Sequence, residues 1–139
     1  MASRLLDSGF ADGAVFHTYH AYECVLSAFI AAKGYPVPPD GQARSPHGRG
    51  YSSPSGNFLP AGTHKARQIF FMELADQSKP YNARHQALSR FINSDVRNDS
   101  LYYNTLHNQL PHEIHNLSFA TEFIIEVRLF AREVRKEIR

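Results

Sequence analysis

Polar and apolar residues alternate along this chain with the period of helices. From about Asp12 to Lys33 the apolar residues fall at Val15, Tyr19, Tyr22, Leu26, Phe29 and Ile30. Steps of three and four put them on one helical face. Gly34 suits a left-handed cap there, and Pro36 and Pro38 forbid continuation. Pro36 to Thr63 has neither a helical nor a strand period, because Pro36, Pro38, Pro39, Pro46, Pro54 and Pro60 are interspersed with glycines. It reads as a long loop. A second helix is expected from a Thr63 cap to about Gln77, burying Ala66, Ile69, Phe70 and Leu74, with Pro80 ending it.

A third helix is expected from near Asn82, carrying Leu88, Phe91, Ile92 and Val96, its end open between Arg97 and Tyr103. Asn104 to His112 reads as a connector. Pro111 fits the first turn of a last helix, from about His112 to Ile138, whose stripe is Ile114, Leu117, Ile124, Val127, Ala131, Val134 and Ile138. No segment alternates with period two for long enough to predict a strand. The expectation is one all-α domain over residues 1–139: an up-down four-helix bundle with antiparallel neighbours and a 36–63 loop between helices 1 and 2.

Composition narrows the function classes. The chain has 139 residues, 42% hydrophobic and 20% charged, which fits one globular core and excludes a disordered chain. Fifteen Lys and Arg against thirteen Asp and Glu leave +2, too little for net charge alone to argue a nucleic-acid or membrane partner. A single cysteine, Cys24, excludes an intrachain disulfide and a multi-cysteine zinc site. It is expected to be a buried, inert thiol inside helix 1. No apolar run approaches a membrane span, and Met1 to Asp7 lacks the apolar core of a secretory signal, so the expected compartment is the cytoplasm.

Four features could carry chemistry. Arg97-Asn98-Asp99-Ser100, followed by Leu101-Tyr102-Tyr103-Asn104, offers a planar guanidinium fork suited to phosphate, with amides and phenols beside it. Its plain alternative is a helix end with Arg97 paired to Asp95 or Asp99. His17, His20 and Glu23 lie three apart near one face of helix 1, and His107, His112 and His115 surround Glu113. Neither group has a compact metal signature, so no metal is expected. Arg128, Arg132, Arg135 and Arg139 form one row of the last helix, either a solvated face offset by Glu126, Glu133 and Glu137 or a track for RNA phosphates. Finally, no acid stands between Gly41 and Met72, whereas Arg44, Arg49, Lys65 and Arg67 are basic. This is either a solvated loop or a basic flap over an anionic ligand.

HTYHAYECVLSAFIAAKG in the first helix, THKARQIFFMEL in the second, Arg97-Asn98-x-x-x-Tyr102-Tyr103 and a long amphipathic last helix together resemble the HEPN superfamily over most of residues 10–138. The resemblance implies a helical bundle, usually dimeric, with an RNA-facing cleft between paired third and fourth helices. Many members are metal-independent endoribonucleases of toxin–antitoxin, CRISPR and abortive-infection systems; others are non-catalytic binding modules. Active members place a His four to six residues after the Arg. Here those positions are Tyr102, Tyr103 and Asn104, and His107 lies further on. A phenol of pKa about 10 is a poor general base at neutral pH. The expectation is therefore a cytoplasmic homodimer that binds RNA or a nucleotide through Arg97, Asn98, Tyr102 and Tyr103, or binds a partner such as a minimal nucleotidyltransferase or antitoxin. No cofactor, membrane contact or efficient nuclease activity is expected. The alternative is a metal-independent endoribonuclease of a toxin–antitoxin or phage-defence system, using Arg97 with Tyr102 or His107.

Overall fold

The computed structural model describes residues 2–3, 11–38, 50–59, 63–92 and 117–139. Among them the chain is mostly helical. Helix α1 spans Ala11–Ala32, α2 Thr63–Leu74, α3 Pro80–Ala87 and α4 Leu117–Ile138, with a two-stranded ribbon of β1 (Tyr51–Ser52) and β2 (Phe58–Leu59) between α1 and α2. No helix among the described residues is long and apolar enough to cross a membrane.

All six apolar positions read from the first helix are buried: Val15, Tyr19, Tyr22, Leu26, Phe29 and Ile30. Gly34 ends the helix in the left-handed region, at φ 84°. Its amide donates to the Ala31 carbonyl at 2.9 Å, satisfying an acceptor that the helix end leaves open. Helix α2 is shorter than its sequence suggests. Asp76 accepts from both the amide and the hydroxyl of Ser78, at 2.9 and 2.7 Å, a local turn that competes with helix propagation. These two bonds hold the Asp76 carboxyl below its ordinary pKa.

Pro80 does not terminate α2. It opens α3 as a first-turn residue, where its missing N–H costs nothing. Helix α3 then stops at Ala87, well short of the expected end between Arg97 and Tyr103. Leu88, Phe91 and Ile92 are buried as expected, but from a turn closed by the Phe91 and Ile92 amides on the Leu88 carbonyl.

The core lies between α1, α3 and α4. Tyr19 meets Phe123, Tyr22 meets Phe130, and Lys33 meets Glu137, so α1 and α4 run parallel. Lys79 with Glu137, His85 with Phe130, and Phe91 with Phe119 make α3 antiparallel to α4. Strict up-down alternation would set the first and last helices antiparallel, so this pairing departs from the expected one. Helix α2 crosses α1 obliquely: Glu23 touches His64 and Arg67, Tyr19 touches Gln68, and Phe29 touches Phe71.

On α4 the buried residues include Ala120, Phe123 and Phe130 besides Ile124, Val127 and Val134, whereas Leu117 and Ile138 at the helix ends are exposed. The stripe needs partners along its whole length, and the helix ends have none to cover them among the described residues.

The long loop also contains more order than its prolines and glycines suggest. Residues 50–59 form the ribbon, paired Tyr51 to Leu59 and Ser52 to Phe58. Tyr51 inserts into a second small core with Ile30, Ala66 and Phe70, and Glu73 of α2 accepts from the amide and hydroxyl of Ser55, at 3.1 and 3.0 Å. Two-residue strands are too short for alternation to register, so only the turn chemistry could have announced them.

Candidate functional site

Arg97, Asn98, Tyr102, Tyr103 and His107 lie outside the described residues, as do the His112–His115 group, Arg44 and Arg49. What the structure does bring together is a line of polar side chains along the seam between α1, α2 and the turn after α3.

At one end Glu23 turns inward from α1. Its carboxylate is buried and accepts from Arg67 at 3.2 Å and from Nδ1–H of His64. Arg67 also donates through Nε to the Pro38 carbonyl. A carboxylate out of water needs such donors, since an unpaired one costs several kcal/mol. Arg67, expected in a solvated loop or flap, is thus a structural clamp, and only Lys65 of its described neighbours stands exposed. Glu23 consequently does not share a surface with His17 and His20. Among the described residues, no three His, Cys, Asp or Glu side chains lie close enough to hold a metal ion.

The His64 ring is fixed by its carboxylate partner, while its side chain keeps 44% exposure. A carboxylate that holds one ring nitrogen in this way fixes the orientation of the imidazole.

In the middle of the seam, Tyr19 Oη donates to the Ile92 carbonyl at 3.0 Å, and Gln68 Nε2 donates to both, at 3.1 and 3.0 Å. These bonds anchor the backbone five residues before Arg97. At the inner end, Tyr22 Oη lies 2.8 Å from His85 Nε2. Burial, with smaller contributions from Tyr19 and Glu23, raises the Tyr22 phenol far above its ordinary pKa. Burial lowers the His85 imidazole to about 4. Both groups are neutral at pH 7, because low polarity penalises charge of either sign.

Cys24 is exposed, contrary to the expectation from its apolar neighbours. On α1 it stands away from the buried stripe, beside Ala21 and Ala28 at the open groove between α1 and α4. Neither His64 nor His85 stands out by motif. The signal was positional: His64, Arg67 and Gln68 sit beside Phe71 at helical spacing, and His85 falls between Tyr81 and Leu88 on an apolar face. Polar residues in a core stripe mark a network.

The arginine row of α4 is exposed throughout, and none of Arg128, Arg132, Arg135 and Arg139 forms an ion pair among the described residues. Arg128 donates to Ser3 Oγ at 2.6 Å. At roughly 100° per residue the acids of this helix sit about 120–180° away from Arg128. Glu122 meets Arg90, Glu133 meets Lys136, and Glu137 bridges Lys33 and Lys79, at 3.9 and 3.8 Å. The glutamates thus do not offset the arginines as their mere number suggested. Glu122, Glu133 and Glu137 are spent on the opposite flank, where Glu126 keeps a buried Oε2 with no hydrogen-bond partner among the described residues.

No protein-family model, curated protein or solved structure matches the chain.

Proposed function

We propose that this chain is a HEPN-like four-helix domain, assembled as a homodimer, that binds RNA or a nucleotide without efficient nuclease activity. The other ligand this reading allows, in place of nucleic acid, is a partner protein such as a minimal nucleotidyltransferase or an antitoxin. The observation that carries nucleic-acid binding is the division of charge on α4. Among the described residues, four arginines without an ion pair share one exposed flank, and on the other Glu122, Glu133 and Glu137 each pair with a cation, while Glu126 has none. Arg128 to Arg139 span about 16 Å at the helical rise, a track suited to successive phosphates, where each neutralised phosphate releases counterions. In this reading Arg97 grips a phosphate, Asn98 orients it or holds a base edge, and Tyr102 or Tyr103 stacks on a base. The helix order and the RN-x-x-x-YY motif support the family assignment.

Fluorescence anisotropy on single-stranded RNA, followed across salt concentration, tests this. Affinity should fall linearly with log salt, and Arg132→Gln/Arg135→Gln should reduce the slope by roughly 1.4, two contacts at about 0.7 each. Arg97→Ala should weaken affinity as well. Affinity unchanged in both variants overturns the reading.

One observation favours a second reading, a metal-independent endoribonuclease acting through Arg97 with Tyr102 or His107. Glu23 orients the partly exposed imidazole of His64, the type of group that the motif lacks. RNA cleavage in EDTA that disappears in Arg97→Ala and in either Tyr102→Phe or His107→Gln would establish it; RNA left intact by the parent protein removes it.

A further inference from the structure

Between α2 and α3 lies a cleft of about 350 Å³, with His85 and Gln68 among its lining residues, Met72 and Ile92 as its apolar wall, and Lys65, Gln86 and Ser89 at its rim. Its volume is at the small end of the range for ligand pockets, room for one ring system rather than a large cofactor.

The protonation of its histidine is set by hydrogen-bond accounting. Tyr22 is fully buried, and among the described residues His85 Nε2 is the one hydrogen-bond partner of its hydroxyl. If that hydroxyl accepted from Nε2–H, its own proton would be buried without an acceptor, which costs on the order of 1–3 kcal/mol. The phenol therefore donates, Nε2 accepts, and the proton of the neutral ring sits on Nδ1. His85 is 8% exposed, yet Nδ1 has no hydrogen-bond partner and is not among the buried unpartnered atoms of the described residues. A donor fixed in tautomer and locked in orientation by Tyr22, Phe71 and Phe130 is thus left open on a residue that lines the cleft.

We infer that this cleft is a nucleobase subsite, in which His85 Nδ1–H donates to a carbonyl or ring-nitrogen acceptor of the base. The inference rests on the nucleotide-binding reading above and names the part of the ligand this face takes. A neutral N–H dipole selects an uncharged acceptor rather than an anion. The thioether of Met72, 63% exposed, and the side chain of Ile92 offer a flat base an apolar face. The Gln86 carboxamide and Ser89 hydroxyl have the donors and acceptors to read its edge, and the Lys65 ammonium is available to the attached phosphate.

The test is titration of the full chain with AMP, GMP, CMP and UMP, following the ring nitrogens of 15N-labelled histidines by NMR. Before ligand is added, the His85 spectrum should show Nδ1 protonated and Nε2 bare. At least one nucleotide should shift Nδ1 saturably, and inorganic phosphate should not. Ser89→Trp, which fills the cleft from an exposed position, should weaken that nucleotide at least tenfold with an unchanged melting temperature. Gln86→Leu provides a second variant should the tryptophan unfold the chain. An Nε2–H tautomer, a response that phosphate reproduces, or nucleotide affinity indifferent to both variants overturns the subsite. RNA binding that persists with its dependence on Arg132 and Arg135 would then leave the broader reading standing, so the two failures are distinct.

Discussion

Arg67 holds the Glu23 carboxylate at 3.2 Å while its Nε donates to the Pro38 carbonyl, so one guanidinium joins α1, α2 and the segment leaving α1. Because the carboxylate is buried, removing its guanidinium partner leaves a charge that solvent reaches poorly. Arg67→Ala should lose roughly 3 kcal/mol, seen as a lower urea midpoint at unchanged m-value. Arg67→Lys should recover only part of this, since an ammonium lacks the planar fork that serves two acceptors at once. Equal stability of parent and Arg67→Ala would refute the clamp.

Stability should also fall in mild acid because of His85. Its pKa is 6.5 in ordinary surroundings and about 4 in the folded chain. Between those values the unfolded chain binds a proton that the folded one refuses, so stability decreases as pH falls. The contribution is whole above pH 6.5 and gone below about 4, and amounts to about 3 kcal/mol. Urea titrations from pH 3.5 to 8 measure it. Tyr22→Phe/His85→Phe removes the titrating ring together with its hydroxyl partner and should flatten the slope by up to one proton. Identical slopes in the parent and double variant would contradict the assignment.

The sequence made the helical class and the inward face of α1 legible because a 22-residue helix repeats its pattern for six turns. It was less informative where elements are short. An eight-residue α3 offers barely two turns of pattern, so Leu88, Phe91 and Ile92 read as helix although a turn delivers them to the core. Cys24 misled for a related reason: apolar neighbours in sequence are not neighbours in space, and a stripe one residue wide decides burial. Arg67 looked like loop charge because its partner lies 44 positions away, a separation no local pattern encodes. The RN-x-x-x-YY residues were found by motif alone, and their geometry lies outside the described residues.

Cys24 is exposed on α1, so its thiol should react with a chromogenic disulfide reagent in the native protein. One equivalent should be consumed without denaturant, at a rate close to that in the unfolded chain. Protection that is lifted only by urea would show the groove to be covered in solution, and the reaction of Cys24→Ser provides the blank.

Gly50 enters the ribbon at φ 126°, and a Cβ there would stand 2.4 Å from the Leu59 carbonyl oxygen. Gly50→Ala must therefore shift backbone rather than a side chain, and the left-handed conformation adds its own strain. A loss on the order of 1–2 kcal/mol is expected, with faster proteolysis in residues 50–59 as Tyr51 leaves its small core. Gly56, at φ 89° with open space around it, should respond less to the same change.

A balance of +2 for the whole chain conceals how α4 sorts its charges. With Glu122, Glu133 and Glu137 occupied by Arg90, Lys136, Lys33 and Lys79, one flank of α4 presents guanidinium groups that no described acid pairs. A nearly neutral protein built this way should cling to a cation-exchange resin well beyond what its isoelectric point foretells, and polyanions in a crude extract should accompany it through purification until high salt strips them off.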